Sequence, residues 1–452
     1  MSELRDSIDF GKHDIPKLFR KMLMPTLLGM IFSAIFIITD GIFVGQGVGS
    51  DALAAVNFVS PLSLISMGVG LMFGVGASVV ASIHLSGGKI RLAQINITQA
   101  SVVSSLFLIF ISALILIFPD RLLSIIGCSE TLAPLSKEYI YGFAGFMVCN
   151  GFIMMGGFFV RLNGAPIYAM VCAIVAAVLN ILLDYIFIFP LQMGVFGAAL
   201  ATGVGTTVGV AMMIIYLMRE TTIAHFTRVK ISRKSLQLTA RNAGYMCKLG
   251  ASSFLAYFSI ACMFMCGNVV FLREMGDAGV AAYSVISYIN PLVLTLLNAI
   301  AQSAQPIISY NYGAGESERV RKTVKLALVT GFIYSAIPMA LMIFFAPQIA
   351  SLFMSPTDPA FAFAIQGLPL YASSLIPVTI NIIAIGYFQS VEQANNANII
   401  TVLRGYLFMI ACFAVTPLLW GNVGAWLATP ITEALAAVVV VWIFLRNRDK
   451  KH

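Results

Sequence analysis

The chain has 452 residues, of which 59% are hydrophobic and only 10% are charged. Soluble domains carry about 25% charged residues, so this composition excludes an ordinary soluble enzyme or binding module and indicates an integral membrane protein. The mean hydropathy of +0.93 leads to the same conclusion. The formal net charge of +8 can be interpreted only from the positions of the basic residues.

Twelve apolar segments follow one another along the chain, and a membrane-spanning helix needs about 20 such residues. They lie at residues 19–44, 53–83, 94–118, 138–160, 166–189, 195–218, 246–272, 279–310, 322–345, 361–387, 397–419 and 424–445. The pattern predicts an all-α integral membrane protein with twelve transmembrane helices.

The first segment contains two residues that are unusual in a membrane span. No charged residue lies between Lys21 and Asp40, an interval close to the length of a membrane span. Pro25 removes one backbone hydrogen bond near the start of this span and permits a kink. Asp40 lies close to its far end among apolar neighbours. A carboxylate at that place is costly, so Asp40 is a candidate functional group.

The basic residues predict how the chain is oriented. With the amino terminus in the cytoplasm, 24 of the 27 Lys and Arg residues fall on the cytoplasmic side, and Arg121, Lys137 and Arg273 fall outside. The positive-inside rule therefore predicts a multi-pass protein of the plasma (inner) membrane with both termini cytoplasmic. Because the basic residues are spread over loops, they anchor the chain beside membrane lipid. They do not form one nucleic-acid-binding face.

The two halves of the sequence repeat at a constant offset. The sequence PLQMGVFGAALAT at 190–202 recurs as PLLWGNVGAWLAT at 417–429. The two copies are 227 residues apart, and the same offset of 227 residues relates Gly49 to Gly276. Since each half has six spans, both halves face the same way across the membrane. This predicts two six-helix lobes related by a pseudo-twofold axis along the membrane normal, a plan typical of secondary transporters.

The repeat also predicts the domain organisation. Residues 1–218 form an amino-terminal six-helix lobe, 219–245 a cytoplasmic connector, 246–445 a carboxyl-terminal six-helix lobe, and 446–452 a cytoplasmic tail.

Four charged residues lie well inside the spans, and two of them fall at a common depth. Asp40 lies ~28 Å along the first span and Asp184 ~27 Å along the fifth, at ~1.5 Å per residue. Asn180 precedes Asp184 by one helical turn on the same helix face. Thr202 lies ~10 Å from the outer end of the sixth span. These four side chains can converge, and they can either supply hard oxygen ligands to a cation or share a proton between the two carboxylates.

Arg404 and Glu433 are the other two interior charges, in the eleventh and twelfth spans. Glu433 lies near the middle of its span, where it cannot reach water. Two interpretations remain: a mutual ion pair within the carboxyl-terminal lobe, or a contact from Glu433 to a cationic substrate. Intramembrane charges usually pair with each other, which favours the ion pair.

Several segments resemble one known family. TDGIFVGQGVGSDALAAVNFVSPL at 39–62 resembles the signature between the first and second helices of the MATE (multidrug and toxic compound extrusion) family. CGNVVFLREMGDAGVAAYSVISYINPL at 266–292 is similar to the signature of its seventh and eighth helices. AQPIISYNYGAGESERVRK at 304–322 resembles the stretch after its eighth helix. The resemblance implies drug export driven by inward flow of protons or sodium ions.

The resemblance also implies functional positions. In the branch of the family with its cation site in the amino-terminal lobe, the site residues fall on Asp40, Asn180, Asp184 and Thr202, and the helix-bending proline falls on Pro25. The other branch uses acids in its seventh and tenth helices, and here residues 249–272 and 361–387 contain none.

Three function classes are therefore considered. The first is a cation-coupled antiporter (H⁺ or Na⁺) that exports amphipathic, often cationic compounds by alternating access. The second is a lipid-linked oligosaccharide flippase, which would need a basic cavity for pyrophosphate. The third is a membrane-embedded enzyme, which the sequence disfavours because it has no catalytic cluster. There is no GxxxxGK[ST] motif for ATP coupling. For the antiporter we expect a monomer with no cofactor and no metal other than Na⁺ at the cation site.

Overall fold

The computed structural model describes residues 9–126, 128, 130, 132–229 and 232–449. Regular structure in this part of the chain is entirely helical, as the apolar segments predict. The helices up to residue 217 are α1 (Ile15–Gly47), α2 (Ser50–Ser86), α3 (Ile90–Ile117), α4 (Pro119–Ile126), α5 (Ala133–Phe143), α6 (Met147–Leu162), α7 (Pro166–Ile188) and α8 (Gly194–Leu217). A 3₁₀ turn at Ala144–Phe146 joins α5 to α6.

The remaining helices include two that are much longer than a bilayer is thick. They are α9 (Arg233–Gly313), α10 (Ser317–Phe344), α11 (Ala346–Ser351), α12 (Pro359–Ala372), α13 (Leu375–Ser390), α14 (Ala394–Val402) and α15 (Phe408–Asp449). A π-helical turn at Leu403–Leu407 connects α14 to α15.

The described helices account for the twelve expected spans. Nine continuous helical stretches are long and apolar enough to cross a membrane, and α12 with α13 forms one more span that is bent by 45°. The stretches around Gly276 and Gly421 each contain two spans, because non-helical backbone interrupts the helix at both glycines. Counting each of these two stretches twice gives twelve transmembrane helices, which agrees with the sequence-based prediction.

The two interruptions show that the repeat extends to the backbone. Gly276 has φ 65° and Gly421 has φ 54°. Their equivalents in the first half of the repeat, Gly49 and Gly194, have φ 124° and 58°. Residues with a Cβ atom rarely adopt such positive φ values, so glycine is required where the chain reverses between spans. Both halves therefore reverse direction at equivalent glycines.

The chain divides into two compact units. The first contains the residues up to Ser253 together with Ser309–Glu316, and the second contains Phe254–Ile308 together with the residues from Ser317 onward. In the first unit, α7 packs along both α1 and α8, and α2 packs on α6 and α3. In the second unit, α13 packs on α10 and α15.

Polar side chains hold the segment after α8 against the first unit. The amide of Asn163 exchanges two hydrogen bonds with the backbone of Ala224, at 3.0 and 2.8 Å. Gln94 donates to the carbonyl oxygen of Ile223 at 3.0 Å, and the Thr98 hydroxyl accepts from the backbone N–H of Thr227 at 3.0 Å. The part of the connector from Ile223 to Thr227, which the sequence defines only by its charge, is therefore held against the first unit.

Candidate ion-binding site

Three helices of the first unit place the polar residues that the sequence singles out. α1 contributes Asp40, α7 contributes Asn180 and Asp184, and α8 contributes Thr202. Because α7 packs against both α1 and α8, its polar face meets side chains from both neighbours. All four predicted residues are brought into one cluster.

The two carboxyl groups meet each other between α1 and α7. The side chains of Asp40 and Asp184 lie within hydrogen-bonding reach of one another. Asp184 is completely buried, and Asp40 is partly buried. Two negative charges at such proximity, away from water, repel strongly. A proton or a cation between them removes that repulsion.

An amide and a hydroxyl complete the cluster. The Nδ2 atom of Asn180 donates a hydrogen bond of 3.2 Å to the Thr202 hydroxyl. This bond directs the amide N–H toward α8 and leaves the amide oxygen as an acceptor. Thr202 also accepts at its backbone carbonyl from the Thr206 hydroxyl at 2.7 Å. Asn180 thereby links α7 to α8 beside the acid pair.

The acceptor oxygens of the cluster form no well-aligned hydrogen bonds within the described part of the chain, although the Asn180 amide lies near Asp184. Oδ1 of Asp40, both carboxylate oxygens of Asp184 and Oδ1 of Asn180 are buried without a hydrogen-bond partner there. Buried acceptors are rarely left unpaired, because each one costs about 1–3 kcal/mol. Such a group of oxygens suits a hard cation or a shared proton.

Tyr139 of α5 is a further neighbour that the sequence analysis did not identify. Its buried phenol lies close enough to Asp40 and Asp184 to interact with the charge of both carboxylates. No pattern in the sequence indicates this role, because a tyrosine near the start of an apolar helix is an ordinary core residue. Only the packing of α5 against α8 and α2 shows that Tyr139 belongs to the site.

Close backbone contact between α7 and α8 sets the geometry of the cluster. A Cβ atom added to Gly205 would lie 2.8 Å from the carbonyl oxygen of Ala176 and 2.9 Å from the backbone nitrogen of Asn180. A larger residue at 205 would therefore separate the two helices at the level of Asn180. Small residues at a membrane helix interface permit this approach.

An aromatic cluster lies between the acid pair and the nearby ends of α1 and α7. The Phe43 ring packs edge-on against Phe189 with centroids 5.8 Å apart, and Tyr185 lies 5.5 Å from Phe189. Phe43 lies nearly one helical turn beyond Asp40, and Tyr185 follows Asp184 directly. These rings join α1 to α7 next to the carboxyl groups.

Helix α1 is continuous through Pro25 in this structure. Pro25 has no N–H to donate to the carbonyl of Lys21. The next residue, Thr26, donates its hydroxyl to the carbonyl of Met22 at 2.8 Å. Hydroxyl groups that bond back by one turn compete with the helix ladder and often bend it. The structure thus places two bend-promoting residues side by side, of which the sequence analysis recognised only Pro25.

In the second unit, Arg404 and Glu433 form the expected ion pair. The Nη2 atom of Arg404 lies 2.6 Å from Oε1 of Glu433, and its Nε atom lies 2.9 Å from Oε2. The two side chains are only 11% and 4% exposed. Arg404 therefore turns inward to Glu433 instead of reaching toward the membrane surface.

An amide from α13 supports this ion pair. Asn381 is fully buried and donates to the Glu433 carboxylate at 2.7 Å and to its backbone carbonyl at 2.9 Å. Asn381 was not predicted from the sequence, because one asparagine in an apolar helix does not indicate its partner. The π-helical turn that contains Arg404 was not predicted either, because a local change of helix hydrogen-bond register leaves no pattern in a single sequence.

Twelve spans, an internal repeat and a buried acid cluster define a multispan membrane transporter rather than an enzyme. The sequence model of the MatE family matches residues 25–186 and again residues 252–413. The offset of the internal repeat carries both ends of the first match onto the ends of the second. The chain belongs to the MatE family.

Relatives and solved structures agree with this assignment over nearly the whole chain. The chain is similar to the multidrug export protein MepA of Staphylococcus haemolyticus, with 27% identity over 97% of this chain and 96% of that protein. It is similar in fold to an outward-facing multidrug resistance MATE family transporter of the MOP superfamily, with a TM-score of 0.87, 24% identity and 98% of each chain covered. A MATE structure in a bent conformation gives a TM-score of 0.86 at 23% identity, with 98% of this chain and 97% of that one covered.

Proposed function

We propose that this chain is a cation-coupled antiporter that exports amphipathic, often cationic compounds by alternating access. The coupling ion is a proton or a sodium ion, and it binds at Asp40, Asn180, Asp184 and Thr202. The observation that supports this proposal most directly is the set of buried acceptor oxygens without donors in the acid cluster. The relatives named for multidrug export support the substrate class.

The ion acts by changing the charge between α1 and α7. With the site empty, the two carboxylates repel each other and resist closure of the helices around them. Binding of the ion neutralises charge and lets α1 pack and bend at Pro25, which displaces the substrate. One elementary charge that crosses the membrane provides about 2.3 kcal/mol per 100 mV, enough to bias two states of similar free energy.

The proposal includes the orientation and assembly of the protein. The chain works in the plasma membrane with both termini in the cytoplasm, so that substrate leaves the cell as the ion enters. It works as a monomer, because each chain has its own acid cluster. We prefer drug export to a lipid-linked oligosaccharide flippase, because Arg404 is neutralised by Glu433 and is not available to bind pyrophosphate.

The test is transport of a fluorescent organic cation by purified protein in liposomes, with an imposed proton or sodium gradient. Asp40→Asn and Asp184→Asn should each abolish gradient-driven transport, because a single remaining carboxyl cannot form the shared site. Asp120→Asn is the matched control. Asp120 is 75% exposed and pairs with Lys137, so this variant should transport normally.

Comparison of the two gradients identifies the ion. A proton-coupled protein responds to the pH gradient without sodium, whereas a sodium-coupled protein requires the sodium gradient at constant pH. Normal gradient-driven transport by well-expressed Asp40→Asn protein would contradict the assignment of the site.

A further inference from the structure

The ion pair of the second unit lies at nearly the same repeat positions as the hydrogen bond between Asn180 and Thr202 in the first unit. In the first unit, Asn180 and Thr202 join the fifth and sixth spans. Their repeat equivalents in the second half are Leu407 and Thr429. Arg404 precedes Leu407 by about one helical turn, and Glu433 follows Thr429 by about one turn. Because the two helices are antiparallel, a shift toward the start of one and toward the end of the other moves the contact in the same direction. The Arg404–Glu433 pair is therefore displaced by about one turn from the positions equivalent to Asn180 and Thr202.

A small cavity of about 30 Å³ lies beside this ion pair within the second unit. Thr429, the repeat equivalent of Thr202, forms part of its wall. The remaining polar lining is provided by Ser259, Asn290, Tyr371, Arg404 and Glu433. A space of this volume holds about one or two water molecules and is far smaller than a drug-sized ligand. Its volume is that of an ion-scale site, and apolar side chains such as Met263, Leu294 and Val378 complete its wall.

The two units differ in what neutralises their buried carboxylates. In the first unit, Asp184 has two oxygens without a donor among the described residues. In the second unit, both oxygens of Glu433 accept from the guanidinium of Arg404, and Oε2 also accepts from Asn381. In the second unit, the guanidinium of Arg404 thus lies beside the carboxylate of Glu433.

The local backbone brings Arg404 to this position. The π-helical turn Leu403–Leu407 adds a residue to one turn of the helix and so rotates the residues that follow relative to those before. A π-turn weakens the regular hydrogen-bond ladder and is frequent at functional sites. The π-turn coincides with the buried arginine, so the local backbone helps to direct Arg404 toward Glu433.

The other groups that face Glu433 leave this pairing undisturbed. The neighbouring titratable side chain is Tyr371 of α12, whose phenol donates a 2.8 Å hydrogen bond to Oδ1 of Asn290. Asn290 and Thr429 are uncharged. Among the described residues around the cavity, Arg404 is therefore the positive charge available to Glu433.

We propose that the Arg404–Glu433 cluster is a second cation site whose cation is the guanidinium of the chain itself. The second unit then exchanges no ion, and the transport cycle uses the single exchangeable site of the first unit. The comparison with an exchangeable site rests on the proposed function. The permanent pairing of Glu433 with Arg404 does not rest on the proposed function, and it is tested separately.

The first test uses dicyclohexylcarbodiimide, which reacts with protonated carboxyl groups in apolar surroundings, on the full-length protein in liposomes. Peptide mass spectrometry then gives the labelled fraction of Glu433. Wild-type protein and Arg404→Lys should leave Glu433 unlabelled at neutral pH, because a cation stays beside it. Arg404→Met should increase labelling about tenfold or more, because a buried carboxylate that loses its counter-charge takes up a proton.

The outcomes of the labelling experiment separate the two proposals. Labelling of Glu433 in wild-type protein, or no labelling in Arg404→Met, would overturn the proposal of a built-in cation. Labelling of Asp40 and Asp184 in the same digest reports on the first unit. The Glu433 result therefore stands even if the coupling site lies elsewhere.

A second measurement does not require an unpaired buried charge. The double variant Arg404→Met/Glu433→Gln replaces the ion pair by uncharged side chains of similar length. Its ratio of ions to substrate, measured from the reversal potential of transport in liposomes, should equal the wild-type ratio, because the pair exchanges no ion. A ratio that falls by one ion per substrate would show that Glu433 takes part in coupling and would overturn the proposal.

Discussion

Asp184 and Asp40 are neighbouring carboxyl groups, and neither provides the positive charge or proton that would compensate the other. Both oxygens of Asp184 are buried without a donor among the described residues, and the carboxyl group within reach is that of Asp40. A single added positive charge or proton relieves both groups together. The two side chains are therefore expected to act as one unit, and the effects of changing them should not add.

This expectation is tested by the double variant Asp40→Asn/Asp184→Asn. Its gradient-driven dye transport should be little lower than that of either single variant, because each single change already destroys the shared site. Initial rates in liposomes, corrected for protein content, provide the comparison. If each single variant retained part of the activity and the double variant retained the product of the two fractions, the residues would act independently.

The helices α7 and α8 form the closely packed side of the site. Gly205 lets their backbones touch at Asn180. α1 forms the other side, and there Pro25 and three hydroxyls that bond back to the preceding turn lie along one helix, at Thr26, Ser33 and Thr39. The site is thus built between a closely packed helix pair and a helix that is suited to bending.

Gly205→Ala should separate α7 from α8, because its new methyl group would lie 2.8–2.9 Å from backbone atoms that cannot rotate away. We expect a loss of about 1–3 kcal/mol of stability, as for other overpacked interiors, and weaker ion binding. Thermal unfolding in detergent, with and without the coupling ion, measures both effects.

Gly244→Ala is the control for this change. A Cβ atom at Gly244 has no neighbour within 4 Å, so only the helix propensity of the residue changes. An unfolding temperature of Gly205→Ala equal to that of wild type, with the same shift on adding the ion, would exclude close packing of α7 and α8 as the determinant of the site.

Pro25→Ala should restore the missing hydrogen bond of α1 and make bending more costly. We expect ion binding to persist while transport slows, because the acid cluster is unchanged and only the movement of the helix is affected. Pro338→Ala in α10 makes the same change inside another span and should transport at the wild-type rate. A wild-type rate for Pro25→Ala would remove bending at Pro25 from the mechanism.

The internal duplication determines the plan of the whole molecule. The two matches to the family model are separated by the repeat offset, and glycines with positive φ recur at that spacing. Yet the halves have diverged in charge. The repeat equivalents of Asp40 and Asp184 are Gly267 and Ala411, and the second unit contains a neutralised pair where the first contains two acids.

The orientation of the molecule is tested with a fluorescent protein that matures only in the cytoplasm. Fused after His452, it should fluoresce, because the distribution of Lys and Arg predicts a cytoplasmic carboxyl terminus. A truncated fusion after Gln192, between the fifth and sixth spans, should remain dark. Fluorescence of the second fusion without the first would reverse the proposed topology.

The sequence by itself determined the class, the twelve spans, the duplication and the four predicted members of the acid cluster. These features follow from local composition and from costs that act on single residues. A membrane span must be long and apolar, and a buried charge must be compensated. Helix length along the chain was enough to place Asp40 and Asp184 at one depth, because the rise per residue is fixed.

Only the tertiary structure decided which side chains meet. The approach of α7 and α8 at Gly205, the presence of Tyr139 near the carboxyl groups and the bond from Asn381 to Glu433 all depend on how helices distant in sequence pack. The π-turn at Arg404 has the same origin. A helical sequence specifies its own hydrogen bonds but not its rotation against a neighbour, and that rotation determines which polar atoms find partners.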